Sequence, residues 1–179
     1  MSAITNQPDN INYLSPLGFR FILDRTPTVN YFVQQASVPG VTLGEYDEAT
    51  PLVTLPYPGT KLSYAPLDVT FRVDEDARNY DEIYKWLIGL GFPESSKQYA
   101  EFSQNANLPN AFGRAENVYS DGSMIILTSQ QNPNLSYTFK DMFPISISPL
   151  TFDTTQSDVT YLDSTVSFRY SFYTLDLIK

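Results

Sequence analysis

The chain contains no cysteine and no histidine. Without cysteine there are no disulfides and no thiolate metal sites, and the redox compartment leaves no trace in the sequence. Without histidine, the commonest general acid or base near neutral pH and the commonest metal ligand are both missing. Catalysis would fall to carboxylates, Lys or Tyr. Basic residues are also scarce: 11 Lys and Arg stand against 20 Asp and Glu, a net charge of −9 over 179 residues. Affinity for phosphate backbones comes largely from Lys and Arg displacing counterions, so the balance argues against a protein that grips nucleic acid. An acidic wall beside DNA, which it does not hold, remains compatible. No apolar run approaches the roughly 18 residues that signal a membrane span. Residues 1–10 carry Asp9 and no basic n-region, so no signal peptide is expected, and assembly in a cytoplasm is.

What is present points to strands. Apolar residues make up 42% of the chain, and the aromatics are nearly all Tyr (13) and Phe (12). That share supports one domain with a sizeable core and argues against global disorder. Together with many Val, Ile and Thr, it favours pleated, half-buried strands. Residues 1–16 read as a polar arm and 17–179 as a single β domain. Alternation predicts a strand over 19–24 and a second over 31–38, joined as a hairpin by the turn Thr26-Pro27-Thr28. Residues 44–51 read as acidic and irregular. Pro58-Gly59 reads as a hairpin turn between 52–57 and 60–64, because Pro presets φ and Gly accepts φ > 0. Over 67–73, Leu67, Val69, Phe71 and Val73 oppose Asp68, Thr70 and Arg72. One helix follows. Asn79 is its expected N-cap, with Glu82 at capping-box spacing. Tyr80, Ile83, Tyr84, Leu87 and Ile88 form its packing stripe, and Gly89, Gly91 and Pro93 stop it. Residues 94–122 form a long Asn-, Gln- and Ser-containing insert. Strands resume at 123–129, 135–139, 142–148 and 150–153, and the last and longest is expected over 160–175. The expected fold class is mainly β: an antiparallel β-barrel or sandwich with one flanking α-helix.

The ordered set of elements resembles the tail tube protein family of contractile-tailed bacteriophages, which is related to the tube protein of type VI secretion. The resemblance is carried by the opening strand (19–24), Gln35-Ala36-Ser37-Val38-Pro39-Gly40, the long hairpin, residues 68–76 running into Asp81-Glu82-Ile83-Tyr84-Lys85-Trp86, and residues 137–144. It implies a homohexameric ring whose subunits join sheets around an open lumen, with rings stacked into a tube and the helix outside. It further implies partners: the chain itself, the tail sheath protein, and baseplate or terminator proteins. Genomic DNA would pass through without specific binding, and no membrane is involved. The insert over 94–122 is longer than the plainest members carry. A specialised ring at the baseplate end (an initiator) or the head end (a terminator) therefore stands beside the repeating subunit.

Within that frame the candidate residues are few. Glu45, Asp47, Glu48, Pro58 and Gly59 are either an exposed loop and hairpin tip or the ring-stacking element. Asp68, Thr70 and Ser167, on polar strand faces, are candidate lumen residues, with Arg72 and Arg169 on polar faces too. Tyr80, Ile83, Tyr84 and Leu87 are expected to pack the helix on a sheet, with Trp86 off that stripe and available to a sheath partner. Asp74-Glu75-Asp76 reads as an acidic lead-in to the helix rather than a cation site, since the ligand pattern of a calcium loop is absent. No catalytic residue, cofactor or metal is expected. Asp81 and Glu82 are adjacent on a helix and point apart, unlike a glycosidase pair. A tail-tip module that recognises a host surface and a carboxylate hydrolase are the readings from other functional classes.

Overall fold

The computed structural model describes residues 13–91, 97, 119–155 and 160–178. Residues 1–12 of the expected arm (1–16) and most of the 94–122 insert lie outside the described residues. Nine strands and two helices occur among those described: β1 (Phe19–Leu23), α1 (Pro27–Phe32), β2 (Val33–Ala36), β3 (Val41–Ala49), β4 (Thr54–Tyr64), β5 (Leu67–Arg72), α2 (Arg78–Gly91), β6 (Ser120–Leu127), β7 (Pro133–Ile147), β8 (Asp163–Arg169) and β9 (Phe172–Leu177). The fold is mainly β, and every pairing is antiparallel.

Seven strands form one sheet in the order β1-β6-β7-β8-β5-β2, with β9 also on β7. The long strand β7 is what folds this sheet into two layers. Its first half lies between β6 and β9, while from Phe143 onward it pairs with β8. The change falls at Asp141, whose φ of 55° is left-handed backbone. The opposing chain breaks at the same level, between β8 and β9, where the Ser171 amide donates to the Lys140 carbonyl at 2.9 Å. The Ser171 hydroxyl donates to Asp141 Oδ2, also at 2.9 Å. The strand expected over 160–175 is therefore two strands, and the longest one is β7. The layers are sandwich-like, and the sheet does not close, because β1 and β2 remain its two ends.

One core fills the space between the layers. Phe21 and Leu23 of β1, Met124 of β6 and Phe139 of β7 meet Leu67, Val69 and Phe71 of β5 and Val166 and Phe168 of β8. Each large apolar side chain buried there contributes on the order of 1.5–3 kcal/mol. Strict alternation explains the register: Val69 lies opposite Val166 and Leu67 opposite Phe168, which puts both strands' apolar sets on one face.

Three local expectations are corrected. The segment before β2 is helical, because Pro27 sits at the first helical position, where its fixed φ suits a helix start. Strands β1 and β2 do not form a hairpin: β1 pairs with β6, and β2 with β5. The β3–β4 turn lies at residues 50–53, where the Thr50 amide donates to the Val53 carbonyl at 3.1 Å. Pro58-Gly59 lies inside β4, opposite a bulge between Leu43 and Glu45. A two-stranded ribbon has an open edge on each strand, so Pro56 and Pro58 are tolerated within it.

Candidate assembly surfaces

The β3–β4 ribbon stands apart from the body. Among the described residues its strands pair only with each other, are exposed over nearly their whole length, and contribute no residue to the core. At about 3.3 Å per residue, the 11 residues of β4 span about 36 Å. All five candidate stacking residues lie here: Glu45 faces Pro58, Asp47 faces Pro56, and Glu48 faces Leu55. Glycine at position 59 has a steric cause. A Cβ there would stand 2.5 Å from the Gly44 carbonyl oxygen, so the two backbones meet only without it. Val41 and Leu43 lie beside Tyr64 and Leu62, and Tyr46 is stacked on Tyr57 at 5.3 Å, so exposed apolar pairs recur along the ribbon.

The ribbon's base is fixed by aromatics that the sequence keeps far apart. Tyr64 meets Tyr170 at 5.9 Å and Tyr173 at 5.6 Å, and Phe139 meets both. The Tyr170 hydroxyl donates to the Ala65 carbonyl at 2.8 Å and the Tyr173 hydroxyl to the Pro39 carbonyl at 3.3 Å, holding both ends of the ribbon. Burial pushes the Tyr170 phenol up to about 12, and the neighbouring Tyr173 and Tyr64 act in the same direction. No local period links residues more than a hundred positions apart, so sequence reasoning missed this anchor.

A second surface is the outer face of β5 and β8. The three candidate lumen residues meet there. The Ser167 hydroxyl donates to Asp68 Oδ1 at 2.5 Å, and the Thr70 and Thr165 hydroxyls lie 2.9 Å apart. Arg72 Nε donates to Asp163 Oδ1 at 3.1 Å, and the guanidinium lies over the Tyr161 ring. The hydrogen bond to Asp163 and its charge raise the Arg72 pKa. Arg72 is thus neutralised by a carboxylate, while Arg169 stands exposed on the same face. The patch is polar and mixed in charge, not uniformly acidic.

Helix α2 places the third set. Ile83 is buried, and Tyr80 and Leu87 pack against the core, but Tyr84 is 49% exposed. Trp86 takes the buried place instead, 1% exposed, with its ring centroid 6.1 Å from that of Phe168 and the Arg25 guanidinium 5.1 Å from the Trp86 ring centre. The buried face runs through Asn79, Ile83, Trp86 and Gly89, because α2 docks over Phe168 with a rotation that the apolar stripe alone did not reveal. Asn79 ties β5 to α2: its Nδ2 donates to the Arg72 carbonyl at 2.8 Å, and its Oδ1 accepts from the Tyr80 amide at 2.8 Å. The expected N-cap and capping box do not form: Asn79 lies inside α2, its amide donates to Asp74 Oδ1, and its Oδ1 accepts from the Asp74 and Tyr80 amides. In the acidic lead-in, Asp74 Oδ1 accepts from the Asn79 amide at 3.5 Å and Asp76 pairs with Arg78 at 2.8 Å. Among the described residues, no three Asp or Glu side chains are grouped to hold a metal ion.

A family model described as phage tail tube protein matches residues 7–176. The chain belongs to the phage tail tube protein family. Its fold recurs in a chain of the anti-feeding prophage baseplate, with a TM-score of 0.57, 12% identity, and coverage of 88% of this chain and 89% of that one. It also recurs in the tube-terminating cap of the anti-feeding prophage (0.57, 15%, 99% and 100%). A third likeness is to a chain of the extended PVC sheath–tube complex, an extracellular contractile injection system (0.50, 11%, 99% and 99%). No curated protein sequence matches the chain.

Proposed function

We infer that this tail tube family member is a structural subunit that assembles as hexameric rings stacked around a channel for DNA. The observation that carries the reading is the exposed β3–β4 ribbon: an arm of this length with Leu43, Tyr46, Leu52 and Leu62 in solvent and both edges open is stabilised when another chain covers it. Ring closure also pairs open sheet edges such as β1 and β2 with neighbouring subunits, through heterologous contacts. The ribbon is the stacking element, with Glu45, Asp47, Glu48, Pro58 and Gly59 near the ring-to-ring contact. The β5–β8 face with Asp68, Thr70 and Ser167 lines the lumen. Six copies at −9 carry about −54, which disfavours retention of phosphate on the wall. The exposed side of α2, including Tyr84 and Lys85, faces the sheath. Baseplate and terminator proteins bound the tube at its ends, and the particle is a virion tail assembled in the host cytoplasm. The role is structural, not enzymatic.

A specialised ring at the baseplate or head end is the second reading, supported by the fold shared with a baseplate chain and a tube-terminating cap. Negative-stain electron microscopy over a concentration series tests both. Sixfold rings growing into long open tubes support the repeating subunit, and single rings that never stack support the specialised one. Trimers without a central channel refute the tube reading and favour a receptor-binding module.

A further inference from the structure

The ribbon and the β2–β5 pair are two stretches of one antiparallel ladder. Ala36 lies opposite Val69 in the body, and Val41 lies opposite Tyr64 at the ribbon base. Each chain advances five residues between these levels, so the register is the same on both sides. What changes is the bonding. The Ser37 amide donates to the Asp68 carbonyl at 3.2 Å. Among the described residues, the next rung runs from the Ala65 amide to the Gly40 carbonyl at 3.0 Å. Between these rungs the register sets Pro39 opposite Pro66. Neither has an N–H, so neither chain can donate a ladder bond at that level. Gly40 follows, with open space where a Cβ would stand. On the body side of the interruption Leu67 and Val69 are buried in the core, and on the other side the ribbon is exposed.

The carbonyls at the interruption are taken by side chains from another part of the chain. The Tyr173 hydroxyl donates to the Pro39 carbonyl, and the Tyr170 hydroxyl donates to the carbonyl of Ala65, the residue before Pro66. One bond lands on each chain of the joint. Both tyrosines flank the β8–β9 corner, which Ser171 ties to Lys140 and Asp141 of β7. Their frame of reference is therefore the body. We propose that Tyr170 and Tyr173 are positioning residues: the joint at Pro39 and Pro66 is a hinge, and the two hydroxyls, rather than the ladder, set the direction in which the ribbon leaves the body. The consequence for assembly rests on the tube reading, whereas the hinge does not. One bond would leave a pivot, but two bonds on opposite chains hold an angle. The lever is long: over the ribbon's span of about 36 Å, a rotation of about 10° at the joint moves the tip by about 6 Å. That exceeds the roughly 4.5 Å within which apolar side chains touch. An arm aimed before it docks also loses less conformational freedom on docking.

The chain has no native cysteine, so Leu52→Cys with Tyr84→Cys carries spin labels only at the ribbon tip and on α2, both exposed. Their separation is measured by pulsed electron resonance below the assembly concentration. The expected result is one narrow distance in the parent and a broad distribution in Tyr170→Phe/Tyr173→Phe, which keeps both rings and removes both hydroxyls. Each single variant should lie between, and Tyr137→Phe, whose ring also packs on Tyr173, should stay narrow. Trp86 fluorescence reports that the body is folded, and the single variants carry the test if the double variant does not fold. Each hydroxyl bond favours the native direction by about 2- to 13-fold, so the critical concentration of the double variant should rise by about 5- to 150-fold. A double variant as narrow as the parent, or a parent already broad, overturns the hinge lock and leaves the tube reading intact. A broadened ribbon with an unchanged critical concentration upholds the hinge and removes the ribbon from the stacking contact. A parent that never self-associates removes the tube reading, while the distances still decide the hinge.

Discussion

Replacing Gly59 with Ala separates the stability of the body from the competence of the ribbon. The added Cβ would stand 2.5 Å from the Gly44 oxygen and 2.8 Å from its carbonyl carbon. Both are backbone atoms, so no side chain can swing away. Strand β3 must retreat by about 0.9 Å to reach an ordinary 3.4 Å contact, and overpacking of this kind costs about 1–3 kcal/mol. Neither ribbon strand supplies a core residue, so the strain stays in the ribbon, and the stability of the body should change by less than about 0.5 kcal/mol. If the ribbon must hold its shape to stack rings, the same 1–3 kcal/mol weakens each contact by about 5- to 140-fold. Urea unfolding followed by the fluorescence of Trp86, the single tryptophan, reports on the body. The critical concentration in electron micrographs reports on the ribbon. Unchanged assembly together with a midpoint lowered by the full penalty would refute the separation of ribbon from body.

Trp86→Ala should cost about 3–5 kcal/mol in urea unfolding, since the indole is buried against Phe168; a loss below about 1 kcal/mol would return Trp86 to the surface. Asp141→Val forces a β-branched residue into left-handed backbone and removes the acceptor of the Ser171 hydroxyl, so a loss of about 1–3 kcal/mol is expected, and Asp141→Gly should lose less. Tyr170 yields a pH dependence: its folded pKa is raised from 10.0 to about 12, so the unfolded chain gives up this proton first. Its contribution is therefore whole below pH 10 and falls between pH 10 and pH 12. Tyr170→Phe should flatten that limb of the stability curve, and an unaltered slope would show that the phenol is solvated.

Sequence by itself determined the strand faces. In β5 and β8, a period of two fixes which side chains turn inward, whatever the neighbouring strand, and Asp68, Thr70 and Ser167 met on one face as the pattern required. It determined α2 as a helix, through spacing alone, and the family, through the order of its motifs. It did not determine partners. The Phe19 strand pairs with β6 across a hundred residues and not with its sequence neighbour, because burial over the whole sheet outweighs the short loop. The rotation that buries Trp86 and exposes Tyr84 follows from docking on Phe168, a contact without a local signal. Pro58-Gly59 carries a turn signature yet lies within a strand, since Gly59 serves the close approach of Gly44 rather than a reversal. Local periodicity reports what each residue faces. Only the tertiary structure decided what it meets, because strand pairing, the β7 bend at Asp141 and the aromatic anchor of the ribbon join residues that are distant in the chain.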